Sequence, residues 1–479
     1  MEAVGNKDRH VPVKKPRVLL AAMGSRSGKT LTGCALLEVL RRRGLDPAAF
    51  KCGPDYIDPM YHKAVTGAVS RNLDTFFSDG KDIEQLIASA RGGCALIEGV
   101  MGIYDGADIK SLRGSCYETA QISGTPVILI ADAGGTGKTI ISQIKGILGD
   151  DTEGLVKGLI FNKISAGFYP LLKEALESEL EEAGSDTAVL GFIPRTPELS
   201  LDSRHLGLVL PEEIRDFRER MAKAAGLLEE TLEIDRILEI MDSAPDLAAG
   251  PAFSPVRTSE NSPVLGVAYD RAFNFYYREN LEIFERKGVK IQYFSPLEDR
   301  AVPENVSGLL FGGGYPELYL KELSENRSMM RSVKDVLKKG IPSLAECGGF
   351  MYLHKGITDA SGTRYRMVGA ADGECRYTGH LVRFGYMELT GTSLKDELYR
   401  SFIGMKGHEF HYYDSTCSGS AFTAKKPFRD LQWDCMKAGN NSLWGFPHLY
   451  YGSCPAAVDR FIERMDRYRQ YQVKGNGSS

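Results

Sequence analysis

The chain has no CxxC pair, no apolar run of membrane-spanning length and no excess of basic charge. Its nine cysteines, an odd number, are scattered from Cys34 to Cys454. That argues against a disulfide framework and a Cys-ligated zinc site, and for a reducing, cytoplasmic setting. A membrane helix needs about 18 or more apolar residues in a row, so no membrane partner is expected. A net charge of −4 gives no footprint for nucleic acid, which normally shows as a basic domain or stripe. The tightest basic cluster, Arg41-Arg42-Arg43, closes an apolar-periodic stretch, where cations complement a helix C-terminus. The polar start through Lys15 leads directly into a strand and lacks the form of a signal peptide. Internal repeats and low-complexity tracts are also missing.

What is present is alternation. At 479 residues the chain exceeds one compact core, and two or three domains are expected. Val18–Met23, Ala95–Val100, Val127–Asp132 and Gly158–Phe161 read as buried strands, and Leu31–Arg43 and Phe168–Glu182 as helices. Strand–helix alternation of this kind predicts a parallel, doubly wound α/β sheet. From Ser243 to Pro263 the chain is rich in Pro, Ser and Ala without a period, as in a linker. A second alternating run follows, with Val264–Tyr269, Lys290–Phe294 and Gly308–Phe311 as strands, and Asn280–Lys287 and Met329–Lys339 as helices. The expected division is a first domain over 1–245, a linker over 246–261, a second domain over 262–470 and a flexible tail over 471–479.

After the first strand comes Gly24-Ser-Arg-Ser27-Gly28-Lys29-Thr30, then a helix. Glycines there let backbone N–H groups wrap a phosphate, and the helix N-terminus points partial positive charge at it. Lys29 would reach the β and γ oxygens and Thr30 would set its hydroxyl on Mg²⁺. Met23 stands where the common pattern has glycine. Glu98 ends its strand at the edge where ligands sit in open α/β sheets, so it could hold Mg²⁺ directly or through water. Lys51, Asp55 and Asp58 lie in a turn fixed by two prolines, and beside a phosphate loop they read as functional.

In the second half, Leu344-Ala-Glu-Cys347-Gly348-Gly349 has the form of a nucleophile elbow, a thiol on a strand-to-helix turn with small neighbours. Gly312, Gly313 and Gly314, with Gly348, could supply oxyanion donors, because only glycine lets the main chain approach so closely. The base should be a distant histidine. His448 is preferred; His408 and His411 are rivals. The other eight cysteines read as small buried hydrophobes, and His62 and His205 have no role assigned by spacing.

These residues together resemble the cobyrinate a,c-diamide synthase family. The motifs that carry the resemblance are Ser27-Gly-Lys-Thr30, Lys51-Cys-Gly-Pro-Asp-Tyr-Ile-Asp-Pro59, Ser70-Arg-Asn-Leu-Asp74 and Glu98-Gly-Val-Met-Gly-Ile-Tyr-Asp105. Ser203-Arg-His-Leu-Gly207, Gly312-Gly-Gly-Tyr-Pro-Glu-Leu-Tyr319, Ala345-Glu-Cys-Gly-Gly349 and Gly407-His-Glu-Phe-His411 continue them. The resemblance implies a dethiobiotin-synthetase-like P-loop domain followed by a class I glutamine amidotransferase domain of flavodoxin-like α/β fold. It implies ATP, L-glutamine and Mg²⁺, with Ser27, Gly28, Lys29, Thr30, Lys51 and Asn162 binding the nucleotide and its ion, Lys29 on the phosphates and Asn162 at the adenine. Thr30, Asp55 and Glu98 would surround Mg²⁺, and Asp58 and Asp105 would lie near the substrate carboxylates. Cys347 would be the nucleophile and His448 its base. The implied substrate is a corrinoid tetrapyrrole amidated at its a and c side chains through acyl phosphates. Nickel-sirohydrochlorin or hydrogenobyrinate would be alternatives; a partition-type ATPase switch would be the alternative of another class. A homodimer is left open. Three departures stand out: Arg26 replaces a usual glycine, Lys406 a usual arginine, and Tyr450 the second histidine of His-Leu-His.

Overall fold

A computed structural model of the chain describes residues 11–200, 203–204, 207–250, 256 and 258–476. They form two compact units, Met1–Ala252 and Phe253–Ser479. His205, and with it the middle of the Ser203–Gly207 motif, lies outside the described residues.

The first unit is built on seven strands, every neighbouring pair parallel. Their spatial order is Arg71–Leu73, Pro47–Cys52, Cys94–Glu98, Arg17–Ala22, Val127–Asp132, Val156–Asn162 and Ala188–Ile193. A parallel sheet is covered on both faces, so its strands are apolar throughout and successive residues serve opposite cores. In the first of these strands in chain order, Leu19 and Ala21 join one core with Ile83, Ile140 and Leu176. Val18 and Leu20 join the other with Leu36, Met221 and Leu228. The predicted strand began at Val18, and the observed one begins a residue earlier with the buried Arg17. Its guanidinium donates to Thr125 Oγ1 and to the carbonyls of Lys15, Pro245 and Ser123. Burial still pushes it down to about 10.

The stretch expected to be a linker from 246 instead begins with a strand, Leu247–Ala249, paired antiparallel with Val11–Val13. Leu247 is buried in the first core. The buried Leu247 side chain and the backbone pairing with Val11–Val13 hold this run despite the surrounding proline and serine.

The second unit centres on a six-stranded sheet ordered Lys290–Phe294, Val264–Ala268, Gly308–Phe311, Ser343–Glu346, Ser442–Gly445 and Lys437–Gly439. All neighbours are parallel except the last pair. An antiparallel five-stranded sheet, which the sequence pattern did not announce, carries Lys406–His411 between Arg383–Thr392 and His448–Leu449. A further four-stranded sheet includes Cys375–Tyr377 and Tyr413–Ser415. The last helix, Pro455–Asn476, runs into the stretch expected to be a flexible tail. Among the described residues no helix is long and apolar enough to cross a membrane.

Candidate active sites

The carboxyl edge of the first sheet gathers one set of polar side chains. Residues 24–28 turn between the Arg17–Ala22 strand and the helix Lys29–Arg42. Gly28 sits at φ 87°, and a Cβ there would lie 2.5 Å from Asn162 Nδ2, so the position excludes any side chain. Asn162 Nδ2 donates to the Ser27 carbonyl at 2.8 Å, and Ser27 Oγ donates to that of Gly24 at 2.8 Å. Lys29 Nζ is folded onto the loop, 3.1 Å from the Gly24 carbonyl and 2.5 Å from that of Met101. Burial first and Lys51 second lower its pKa. Arg26, which replaces the usual glycine, adopts φ 63°.

Sheet register does the rest. Lys51 and Glu98 stand directly opposite each other at the carboxyl edge of neighbouring strands. Lys51 Nζ lies 3.0 Å from Glu98 Oε1 and 2.6 Å from Asp58 Oδ2. Thr30 Oγ1 donates to Glu98 Oε1 at 2.7 Å. His62 Nε2 meets Glu98 Oε2 at 2.8 Å, and its Nδ1 meets Ser70 Oγ at 2.9 Å. The Glu98 side chain is fully buried. Burial would raise its pKa, but Lys51, His62 and Thr30 outweigh burial and hold it well below the usual carboxylate range. Lys51 is likewise buried, yet Asp58, Glu98 and Asp55 keep it protonated. Burial, then Asp55 and Glu98, push Asp58 up against the pull of Lys51. Asp55 Oδ1 accepts the N–H groups of Ile57 and Asp58 at the start of the Ile57–Thr66 helix. Asp105 Oδ2 accepts from Gly102 N at 2.8 Å, in the loop whose Met101 carbonyl holds Lys29.

His62 and Ser70 were not among the expected site residues. No spacing rule could find them, because the His62–Glu98 contact joins positions 36 apart in the chain. Beside the loop opens a cavity of about 590 Å³ lined by Gly28, Thr32, Asn162, Lys163, Arg195 and Pro197 among others. The segment after the Ala188–Ile193 strand was likewise not singled out. The Arg41–Arg43 cluster is a paired surface: Arg41 and Arg42 meet Glu38, and Arg43 meets Glu229 and Asp235.

The second unit gathers the other set. Cys347 sits between the Ser343–Glu346 strand and the helix Gly348–Leu353 at φ 44° and ψ −106°, a conformation that stores strain in a residue with a Cβ. Its N–H donates to the Gly445 carbonyl at 2.8 Å. The Gly348 N–H is directed at its sulfur, though burial and the Glu317 charge raise the thiol pKa well above the ordinary value. A Cβ on Gly348 would lie 2.8 Å from Pro316 Cδ and 3.3 Å from Gly314 N, so the glycine loop and the elbow are pressed together. Gly314 has φ 150°, and the Gly313 carbonyl accepts from the N–H groups of Asn274 and Phe275.

His448 lies in the short strand His448–Leu449, its ring packed on Gly313. Its Nδ1 is 4.0 Å from Glu346 Oε2. Burial, then His408 and His411, push its pKa down to about 3. The rival histidines face other neighbours. His408 pairs with His448 across the sheet, while its ring stands edge-on to Phe384 and Tyr386. His411 stacks on Phe446 at 4.1 Å, with Nδ1 2.6 Å from the Tyr413 carbonyl. Of the three, His448 is the one whose ring rests on the glycine loop beside the elbow. The remaining cysteines are less uniform than expected: Cys417 and Cys454 are half-buried, and Cys116 Sγ exchanges hydrogen bonds with the Val100 main chain.

A Cβ at position 313 would fall 2.2 Å from His448 Cε1. Gly313→Ala should therefore displace the imidazole and lower glutamine hydrolysis by about 100-fold, the scale of a 1 Å misplacement. Steady-state glutaminase assays check this, and unchanged turnover would mean that His448 has room to move without consequence.

Residues 18–209 match the CobQ/CobB/MinD/ParA nucleotide binding domain, and residues 264–439 match the CobB/CobQ-like glutamine amidotransferase domain. A relative from Caldanaerobacter subterraneus, named cobyrinate a,c-diamide synthase, is 36% identical over 455 residues, 94% of this chain and 98% of its own. Relatives of the same name from Clostridium acetobutylicum and Thermoplasma volcanium are 36% and 35% identical. They cover 91% and 95% of this chain and 97% and 98% of their own.

Proposed function

The chain belongs to the cobyrinate a,c-diamide synthase family, and from that premise we propose that it amidates the a and c carboxylates of cobyrinate with ATP and glutamine. The observation that carries this reading is the end-to-end likeness to synthases of that name, with a phosphate loop in one unit and a cysteine elbow in the other.

An ionised carboxylate does not accept ammonia. Transfer of the γ-phosphoryl group of ATP to the carboxylate oxygen gives an acyl phosphate and ADP. Lys29, released from the carbonyls of Gly24 and Met101, would meet the charge that develops on the phosphoryl oxygens. Ser27 and Gly28 shape the loop, Asn162 borders the cavity suited to the base, and Lys51 keeps Asp58 and Glu98 in place. Asp58 and Asp105 are assigned to the substrate side. In the second unit the Cys347 sulfur attacks the glutamine carboxamide, and the thiol proton passes by way of His448 to the departing ammonia. Water then cleaves the thioester to glutamate. Gly313, Gly314 and Gly348 are assigned to the oxyanion. Ammonia displaces phosphate from the acyl phosphate, giving the amide.

The donor set near Thr30 is oxygen, the kind Mg²⁺ takes. With a nucleotide, Mg²⁺ is usually held by one or two protein groups plus phosphates and water. Thr30 and Asp55 would hold it, with the buried Glu98 acting through the Thr30 hydroxyl 2.7 Å away. Bound there, it would supply charge neutralisation on the phosphate oxygens. A partition-type switch would leave the Cys347 elbow without a purpose.

The test is direct. The protein is incubated with ATP, Mg²⁺ and glutamine plus cobyrinate, hydrogenobyrinate or nickel-sirohydrochlorin, and amidations are counted by mass. Two amidations of cobyrinate are expected. No change in cobyrinate would sink the substrate assignment, and no change in any of the three would sink the tetrapyrrole class.

A further inference from the structure

We infer that Glu346, the residue before the nucleophile, is a positioning residue that orients His448 and stabilises its imidazolium. The inference rests on the reading of Cys347 and His448 as the glutaminase pair. It starts from a chemical need. A histidine that takes the thiol proton through one ring nitrogen gains a positive charge, and a carboxylate at the other nitrogen fixes the ring and offsets that charge. Here the need is acute, because the His448 ring is buried beside His408 and His411 and its protonated form is disfavoured. The residue two beyond it is Tyr450, which carries no carboxylate.

Glu346 is the carboxylate that faces this imidazole. Its Oε2 is 4.0 Å from His448 Nδ1, and its side chain is 8% exposed. That separation exceeds a hydrogen bond, and such catalytic contacts often tighten only when substrate binds. The carboxylate is also aimed. Tyr451 Oη donates to Glu346 Oε1 at 2.6 Å, and the Leu449 N–H is directed at the same carboxylate. Asn280 ties down the segment on either side of Tyr450, with Nδ2 2.7 Å from the Leu449 carbonyl and Oδ1 accepting from Tyr451 N at 2.7 Å. The nucleophile strand and the histidine strand are thus joined through one buried acid. With Nδ1–H donating to Glu346, Nε2 is left as the acceptor for the thiol proton, and Nδ1–H stays on the imidazole while Glu346 shares its charge.

A pH signature follows. Burial pushes Glu346 up to about 8, while the Tyr451 and Leu449 donors pull it down. The other titratable groups around it are His448, Cys347, Tyr276 and Tyr451. Only the ionised carboxylate offsets the charge of the imidazolium, and it accepts from Nδ1–H more strongly than the neutral acid, so the glutaminase rate should rise as pH passes through about 8.

The experiment compares full-length wild type, Glu346→Gln, Glu346→Asp and Tyr451→Phe for glutamine hydrolysis across pH 6–10. Thermal unfolding and ammonium-driven amidation serve as checks of folding. Glu346→Gln should lower kcat by about 100-fold or more with KM for glutamine within about 3-fold, and should erase the ionisation near pH 8. Glu346→Asp should restore part of kcat and keep an ionisation, and Tyr451→Phe should move that ionisation upward by removing a donor. A Glu346→Gln enzyme with wild-type kcat, or with a lowered kcat and an unaltered pH profile, overturns the proposal. Should Glu346→Gln fail to fold, an unmoved pH profile in Tyr451→Phe overturns it and a shifted one supports it. Wild type that hydrolyses no glutamine at any pH would instead defeat the underlying glutaminase reading.

Discussion

Cys347→Ser abolishes glutamine-driven amidation and leaves ammonium-driven amidation in place: this is the expected result, with a fall of about 1,000-fold or more in the first activity. The size follows from the site. The thiol is buried, and burial together with Glu317 favours its protonated form, so attack depends on removing the proton in place. A serine hydroxyl is a far weaker acid than a thiol, and the imidazole at hand is a weak base, pushed down to about 3. Serine adopts the φ 44° of this turn no worse than cysteine, and it fits the same space. The variant should therefore fold, and ammonium salts should bypass the lost step. Amide formation is measured with glutamine and with ammonium chloride in parallel. Loss of both activities in a folded protein would refute the division of labour between the units.

The elements that carry these assignments were unequally legible. The loop at Gly24–Thr30 could be read because its chemistry is local: glycines, a lysine and a threonine in fixed order before a helix. Glu98 could be read because strand ends define one edge of a parallel sheet. His62 could not, because it reaches Glu98 only through the packing of the Ile57–Thr66 helix on the sheet. Glu346 was visible merely as a letter in Ala345-Glu-Cys-Gly-Gly349; its neighbour His448 lies 102 positions on, and only the fold brings the two within 4.0 Å. The antiparallel sheet around Lys406–His411 escaped because its longest strand, Arg383–Thr392, follows no strict alternation of buried and exposed positions and is interrupted by a bulge at Leu389–Gly391. Composition failed at Leu247–Ala249 for the opposite reason. A short apolar run there pairs with Val11–Val13 despite polar, proline-rich flanks.

Lys29→Ala is expected to reduce ATP-dependent amidation by about 1,000-fold while sparing much of the glutaminase activity. Phosphoryl transfer is carried by positioned charge, because the transition state spreads negative charge over the equatorial oxygens. Lys29 is 7% exposed, so its charge acts where water screens little. Lys51 cannot replace it. That ammonium is held 2.6 Å from Asp58 and 3.0 Å from Glu98, and withdrawing it would leave two buried carboxylates unneutralised. The alanine variant also strips a donor from the carbonyls of Gly24 and Met101, at a cost of about 1–3 kcal/mol if they stay dry. Lys29→Met loses the same donor and the same charge but keeps most of the side-chain volume, so it separates the effect of the emptied space from theirs. Both variants should lose synthesis equally, and both should hydrolyse glutamine. Survival of synthesis in Lys29→Met would remove Lys29 from the phosphate site. Equal loss of synthesis and glutamine hydrolysis would mean that the nucleotide site governs the cysteine site as well as the acceptor.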